Sequence, residues 1–557
     1  MSIAPETLEN RGKDAEELQS ASPSAKRPRS SLVPVVLILT GLSLLALLQR
    51  TQSLSTVSFW FDEACSWKIS QFPVPEMLDA ISRDAHPPLY YFLMKFWTGV
   101  FGSGVVSSRS FSVLAGVGSV LAACWLMKTA STDPESPAAN RQSRPWESLA
   151  AVLVAGLLVA VNPLQVEMGQ EARPYSLGVM LSLLSATFAL RVSRMPQRIA
   201  DWIGFVLTAA AVSLLHYYGI FTLIALILFL VVETIIALWK SGWSRKTKQL
   251  VCGLTVSLWS IQLIWLPWIS IFLFQRHRTD TQLWMKPLTW NGVASTCWKV
   301  LAGGKTSEVW TDWTWLAVAI WSGLAVFLII RGRAGGRLIG LCAIVPLIAT
   351  LAYGLLVRSV LGVHYLIFAE TFVLLGVALL AARGQLRLLR WTVVALVIGW
   401  NFYWSASYAA HRQSCAEVPG TQGAIAFLND NRQPHEPVIV SSPLVHTIAL
   451  QYLRDRSEFL AISYGDHRSN ILSGPPMQDQ DYVGTNDLIQ RRPPVLWTIN
   501  ADGLFGRYSA VDLPKEYQLV AAERFPERFG YRMDLVVRKY ELQTRNSTQQ
   551  SAVTQTN

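Results

Sequence analysis

Five short polar stretches interrupt an otherwise apolar chain, and each carries residues able to do chemistry. The first is FWFDEACSWKIS (59–70), which sets Asp62 and Glu63 among Trp60, Phe61 and Trp67. A carboxylate pair beside an apolar interface is costly unless it has a partner or a task. It could serve as a general base or bind a metal; the plainer alternative is two solvated loop acids. In RDAHPPLYY (83–91), Pro87 biases His86 toward extended backbone, and Tyr90 follows on a stiff approach. The third stretch, VNPLQVEMGQEARPYSL (161–177), offers Glu167, Glu171, Arg173 and Tyr175. Its arginine could grip a phosphate in bidentate fashion, or merely pair with Glu171 at a surface, where such a pair is worth little. LLHYYG (214–219) presents His216 and Tyr217, and VRSVLGVHYLIFAE (357–370) presents Arg358, His364, Tyr365 and the less readable Glu370.

The elements that must position these groups are membrane helices. The chain has 557 residues, of which 51% are hydrophobic and only 15% charged, against about 25% charged in a soluble domain. Its 22 Trp suit interfacial belts. Runs long enough to span, about 18 residues or more, fall near 32–49, 106–127, 147–165, 174–192, 200–216, 219–239, 250–274, 312–330, 338–357, 363–382 and 391–408. The net charge of +11 comes from short basic connectors between these runs, which membrane topology explains without a nucleic-acid partner. The six cysteines show no CxxC spacing, so neither a zinc site nor a disulfide framework is expected.

One segment decides the topology. If HPPLYYFLMKFWTGVF (86–101) spanned, every later basic connector would lie opposite KRPRS (26–30); if it does not, all of them share one side. The positive-inside rule favours the second arrangement, and Lys95 interrupts the apolar run. The segment is therefore expected as an interfacial amphipathic helix. Residues 50–105 then form a long first outer loop, on the same side as the turns at 166–173, 216–219, 275–311 and 358–362. The expected organisation is a disordered cytoplasmic N-terminus (1–30), a membrane domain (31–408) with about eleven transmembrane helices, an extracytoplasmic soluble α/β domain (409–540), and a disordered tail (541–557).

With FDEA, HPPLYY, SRSFSVLAG (108–116), QEARPYSL, HYYG and LPW (266–268) in this order, residues 32–410 resemble the GT-C superfamily of integral-membrane glycosyltransferases. The likeness is greatest to the group of protein O-mannosyltransferases and lipid A aminoarabinose transferases. It implies inverting transfer of a sugar from a polyprenyl-phosphate donor to a lipid, glycan or protein acceptor outside the cytoplasm, in the plasma (inner) membrane. By that resemblance Asp62 is the catalytic base and Glu63 supports it. His86, Tyr90, Glu171, Arg173, Tyr175, His216, Tyr217, Arg358, His364 and Tyr365 make up the expected substrate-binding set. In many relatives an Arg-Tyr pair opens a late span; here His364-Tyr365 takes its place. The C-terminal domain resembles relatives only loosely, with acceptor selection as its suggested role. The DE pair lacks the further ligands a firm magnesium or manganese site needs, so no cofactor is expected, although a divalent metal stays open. A transporter or lipid flippase is the competing class. It would show internal repeats and charges near mid-span, whereas the unusual residues here gather at outer turns.

Overall fold

The computed structural model describes residues 32–132, 145–279, 287–303, 313–381, 387–463, 476–503, 511, 513–530 and 532–543. The expected disordered N-terminus lies outside these residues, as does most of the expected tail. The chain divides into a unit Met1–Gly41 and a unit Leu42–Asn557, and all the contacts described below belong to the second.

Helix α1 (Leu32–Thr51) leads into the first loop, which folds as α2 (Phe61–Gln71), α3 (Val74–Ser82) and α4 (Leu89–Phe101). The helical bundle continues with α5 (Val105–Ser131), α6 (Pro145–Val161), α7 (Pro163–Gly169), α8 (Tyr175–Arg194), α9 (Ile199–Leu215), α10 (Tyr218–Ser241) and α11 (Arg245–Thr279). After α12 (Trp290–Ala302) come α13 (Thr314–Arg331), α14 (Ala334–Leu356), α15 (Ile367–Ala381) and α16 (Arg387–Ser414). This is a multi-pass membrane protein. Eleven of these helices lie where spans were expected. Among the described residues, eight are long and apolar enough to cross a bilayer, or nine when the bent pair α6–α7 counts as one.

Helix α4 is short for a membrane span. Its 13 residues extend about 20 Å, short of a hydrocarbon core about 30 Å thick. It buries Tyr90, Tyr91, Met94 and Thr98 while leaving Phe96, Val100 and Phe101 exposed. That apolar outer face has the form of a helix lying in an interface.

The chain bends by 58° between α6 and α7, and local chemistry explains where. Pro163 cannot supply an N–H to continue α6, and Asn162 caps α7 by accepting the Gln165 N–H at 3.0 Å. The Asn162 amide donates to Glu370 and to Asn401, both at 2.8 Å. Gln165 donates to Glu370 at 3.0 Å and to Thr371 at 2.8 Å. The freed carbonyls ending α6 meet Arg50, which donates to Val159 and Ala160, both at 3.0 Å. Its side chain fills the space beside Gly116 and Gly169, where an added Cβ would lie 2.5 Å and 2.8 Å from it. These polar staples fix the turn 170–174, which carries two of the expected site residues.

The C-terminal region forms a six-stranded sheet in the order β3-β2-β1-β4-β6-β5. Its strands are β1 (Val438–Val440), β2 (Phe459–Ile462), β3 (Tyr482–Val483), β4 (Val495–Asp502), β5 (Tyr517–Glu527) and β6 (Met533–Leu542), so β6 runs into the segment expected as a tail. β3, β2, β1 and β4 are parallel, and β6 and β5 are antiparallel additions. Helices α17 (Gly420–Asn431), α18 (Pro443–Ala449) and α19 (Thr485–Arg491) lie between strands or before them. The core of this region is not its own alone. Phe59, Ala64 and Trp67 from the first loop are buried in one cluster with Ile425, Val440, Ile448 and Trp497. The Tyr452 hydroxyl accepts the Phe59 N–H at 2.8 Å, and Lys68 pairs with Asp481 at 2.7 Å. The sheet thus holds α2 from outside while the bundle holds it from within.

The stapled bend yields a prediction. Glu370→Leu removes one of the two acceptors of each of the Asn162 and Gln165 amides, at about 1–3 kcal/mol for each hydrogen stranded. Thermal unfolding in detergent should show a clear loss for this variant and a smaller one for Thr371→Val. Equal stability of Glu370→Leu and wild type would remove the network's assigned role.

Candidate active site

The site begins with an ion pair sealed from solvent. Glu63 and Arg109 each have 0% side-chain exposure. Arg109 Nε donates to Glu63 Oε1 at 2.9 Å and Nη2 to Oε2 at 2.7 Å, the parallel two-bond geometry that suits guanidinium and carboxylate. Its other hydrogens go to the carbonyls of Leu54, Val57 and Ser58. Glu63 also accepts the N–H of Ala172 at 2.8 Å and of Trp60 at 3.3 Å. One buried pair therefore joins the first loop, α5 and the 170–174 turn. Glu63 has little capacity left for a substrate, and Asp62 is the neighbour whose carboxylate stays accessible, at 35% exposure.

Arg173 lies against Asp62. Its Nη2 is 3.4 Å from Asp62 Oδ2, and Nη1 donates to Ser66 Oγ at 2.7 Å and to the Asp62 carbonyl at 3.2 Å. The same Nη2 is 3.1 Å from His86 Nε2. Burial opposes the Arg173 charge, but Asp62, Tyr175, Tyr91 and Asp84 hold its protonated form still more firmly than in water. Behind His86, Asp84 accepts from His86 Nδ1 at 3.0 Å and from the Tyr91 hydroxyl.

Rings close the other side. Tyr175 lies 5.5 Å from His216, 5.6 Å from His364 and 6.2 Å from Tyr365, between ring centroids. Trp60 faces His364 at 6.4 Å, and Tyr218 stacks on Tyr365 at 4.9 Å. Nδ1 of His216 accepts the Tyr218 N–H at 3.1 Å, which puts the ring's proton on Nε2. Among the described residues, three buried polar atoms around this space meet no hydrogen-bond partner: Arg173 Nε, His216 Nε2 and Trp60 Nε1. Each such group costs about 1–3 kcal/mol if left unmet, a cost that a polar ligand or water would offset.

Asp62, His86, Arg173, Tyr175, His216, His364 and Tyr365 are thus brought together from five separate stretches of the chain. Other expected residues stand differently. Tyr90 packs into an apolar cluster with Met94, Ala115 and Leu215, and Tyr91 instead reaches Asp84. The Tyr217 hydroxyl bonds Gln275 and accepts from Trp268 at 3.0 Å, tying α11 to the His86 loop through Gln275 and the His86 carbonyl. Arg358 sits in the 357–363 segment, whose Val360 carbonyl accepts the Tyr218 hydroxyl. Glu171 is buried, and its Oε2 meets no hydrogen-bond partner among the described residues. Burial, with Glu167 and Glu63 nearby, pushes its carboxyl well above the usual range. Sequence reading passed over Arg109, Arg50, Asp84 and Tyr91. For Arg109 a signal existed, since an arginine inside an apolar span demands a buried partner. Among the described residues no three His, Cys, Asp or Glu side chains converge as a metal site would require.

No protein-family model and no curated protein sequence matches the chain. Solved structures do. ArnT from Cupriavidus metallidurans bound to undecaprenyl phosphate superposes with a TM-score of 0.53 at 14% identity, covering 90% of this chain and 97% of that one. The same protein in its apo state gives 0.56 at 14% identity, covering 91% and 98%. The chain shares the fold of these structures. Coverage of 90% leaves out fewer residues than the C-terminal region holds, so the likeness extends into that region.

Breaking the buried pair gives a direct check on this construction. Arg109→Met strands the Glu63 charge and should cost about 3–5 kcal/mol. Glu63→Met alone strands the Arg109 charge in the same way, and removing both charges in Glu63→Met/Arg109→Met should recover part of these losses in a thermal-unfolding series. Simple additivity of the two single losses would mean that the groups do not act as a pair.

Proposed function

We propose that this protein is a glycosyltransferase that moves a sugar from a polyprenyl-phosphate donor to an acceptor hydroxyl on the extracytoplasmic side of the plasma membrane. The observation that carries the reading is the pairing of an accessible carboxylate, Asp62, with a buried guanidinium, Arg173, 3.4 Å away, whose Nε has no partner among the described residues. A phosphodiester placed against Arg173 satisfies that orphan donor and brings its sugar toward Asp62. Likeness in fold to a protein solved with undecaprenyl phosphate supports the class of donor.

In this reading Asp62 takes the proton of the acceptor hydroxyl. The acceptor oxygen attacks the anomeric carbon as the bond from that carbon to the phosphate oxygen breaks. The electron pair leaves on the phosphate, where Arg173 and His86 meet the growing charge. Attack opposite the leaving group inverts the anomeric centre. Glu63 acts through position alone, fixing the first turn of α2 so that Asp62 points at Arg173. His216 and Tyr175 offer hydrogen-bonding groups to the sugar, and His364, Tyr365 and Trp60 offer ring faces. The N-terminus is cytoplasmic in this arrangement and the C-terminal sheet extracytoplasmic, above α2, where a lipid, glycan or protein acceptor would enter.

The test is turnover on purified protein in lipid nanodiscs with a panel of labelled polyprenyl-phosphate sugars. Asp62→Asn should lower sugar release by about 100-fold or more while changing donor affinity little. Arg173→Ala should weaken donor binding by about tenfold or more, the worth of a charge-assisted hydrogen bond. Near-full transfer by Asp62→Asn would remove the base assignment, and loss of no donor from the panel would remove the reaction class.

A further inference from the structure

Between α3 and α4 the polar roles of Asp84 and His86 follow from donor chemistry. A guanidinium has hydrogens to give and no lone pair to offer. His86 Nε2, 3.1 Å from Arg173 Nη2, is therefore the acceptor in that contact. The ring proton then sits on Nδ1 and is donated to Asp84 at 3.0 Å. Asp84 accepts hydrogen bonds from the His86 ring and from the Tyr91 hydroxyl, and both favour its charged form. As bonded, the imidazole is neutral and lies between an anion and a cation. Its backbone is fixed as well, because Gln275 donates to the His86 carbonyl at 3.2 Å and two prolines follow.

An anion at Arg173 changes the balance. A phosphate oxygen is a stronger acceptor for the Nη2 hydrogen than a neutral ring nitrogen. Once that hydrogen turns to phosphate, His86 Nε2 is left without a donor beside a negative oxygen. A proton taken up there bonds the same phosphate, and Asp84 stabilises the imidazolium from behind. Without the anion, that proton would point at the guanidinium 3.1 Å away. The groups facing the ring from other elements fit the same account. Asp62 on α2 is already engaged with Arg173, and Cys65 lies on that helix too. His216, at the end of α9 with its ring 5.3 Å away, carries its own proton on Nε2.

We infer that His86 is a proton-coupled phosphate contact and Asp84 its positioning residue, so that the donor phosphodiester and one proton bind together. This rests on the donor site proposed above and adds a linkage to it. By that linkage, affinity falls by up to about tenfold for each pH unit over the window where the free ring is neutral and the occupied one charged. The sign is fixed: binding is favoured at low pH and lost as pH rises.

The experiment uses the full chain in nanodiscs and a polyprenyl methyl phosphodiester, whose one charge does not titrate in the range studied. Binding is measured from about pH 5.5 to 8.5, where a lysine stays charged. Wild-type affinity should drop at least tenfold across the range. His86→Lys should bind with little pH dependence, which also shows that the variant is folded. Asp84→Asn should move the drop to lower pH by about one unit or more, since it removes the anion that favours the imidazolium. Wild-type binding that is flat with pH would overturn the inference and leave the donor site standing, as would a His86→Lys profile as steep as wild type. Absence of binding by wild type at every pH would overturn the donor site itself, and the inference with it.

Discussion

The site depends on one buried ion pair. Glu63 and Arg109 are wholly removed from solvent, and charges so placed are tolerable only when nearly every hydrogen and lone pair is met. Meeting them draws in the carbonyls at 54, 57 and 58, the N–H of Trp60 and the N–H of Ala172. That need sets the first loop against α5 and the 170–174 turn in one register. Asp62 and Arg173, each next or nearly next in sequence to a group so anchored, then face each other as a consequence. The adjacent acids of the DE motif have opposite fates because successive residues on a helix point about a quarter-turn apart. One is committed to structure, and the other is left for chemistry.

A second constraint acts from the outer side. Helix α2 completes the core of the C-terminal sheet with Ala64 and Trp67 while presenting Asp62 to the bundle. A short helix with polar residues on two faces has little stability of its own, so packing on both sides supplies it. The sheet is therefore part of the active-site scaffold. A ligand bound to that region would lie against the same helix that carries the proposed base.

Much of this was legible before the structure. The apolar runs gave the order of the helices, since spanning a bilayer imposes length and hydrophobicity that few other roles demand. The DEA, HPP and EARPY stretches named Asp62, His86 and Arg173, because charged or imidazole groups at helix ends need a reason to be there. The partners of those groups were less readable. Arg109 is 46 residues from Glu63 and Glu370 is 208 from Asn162, and pairing at such distances leaves no periodic trace. Tyr90 and Tyr91 are indistinguishable in composition, and only the rotation of α4 decides that Tyr91 meets Asp84 while Tyr90 meets apolar neighbours. The domain boundary was blurred for a similar reason: the sheet borrows core residues from a loop that precedes it by hundreds of positions.

The most direct measurement is cryo-electron microscopy of the protein in nanodiscs supplied with a polyprenyl phosphate. The account predicts phosphate density within hydrogen-bonding distance of Arg173 and His86, its prenyl chain leaving along the bundle, with Glu63 and Arg109 unmoved. Phosphate density elsewhere in the bundle, with the Asp62–Arg173–His86 contacts intact and empty, would contradict it.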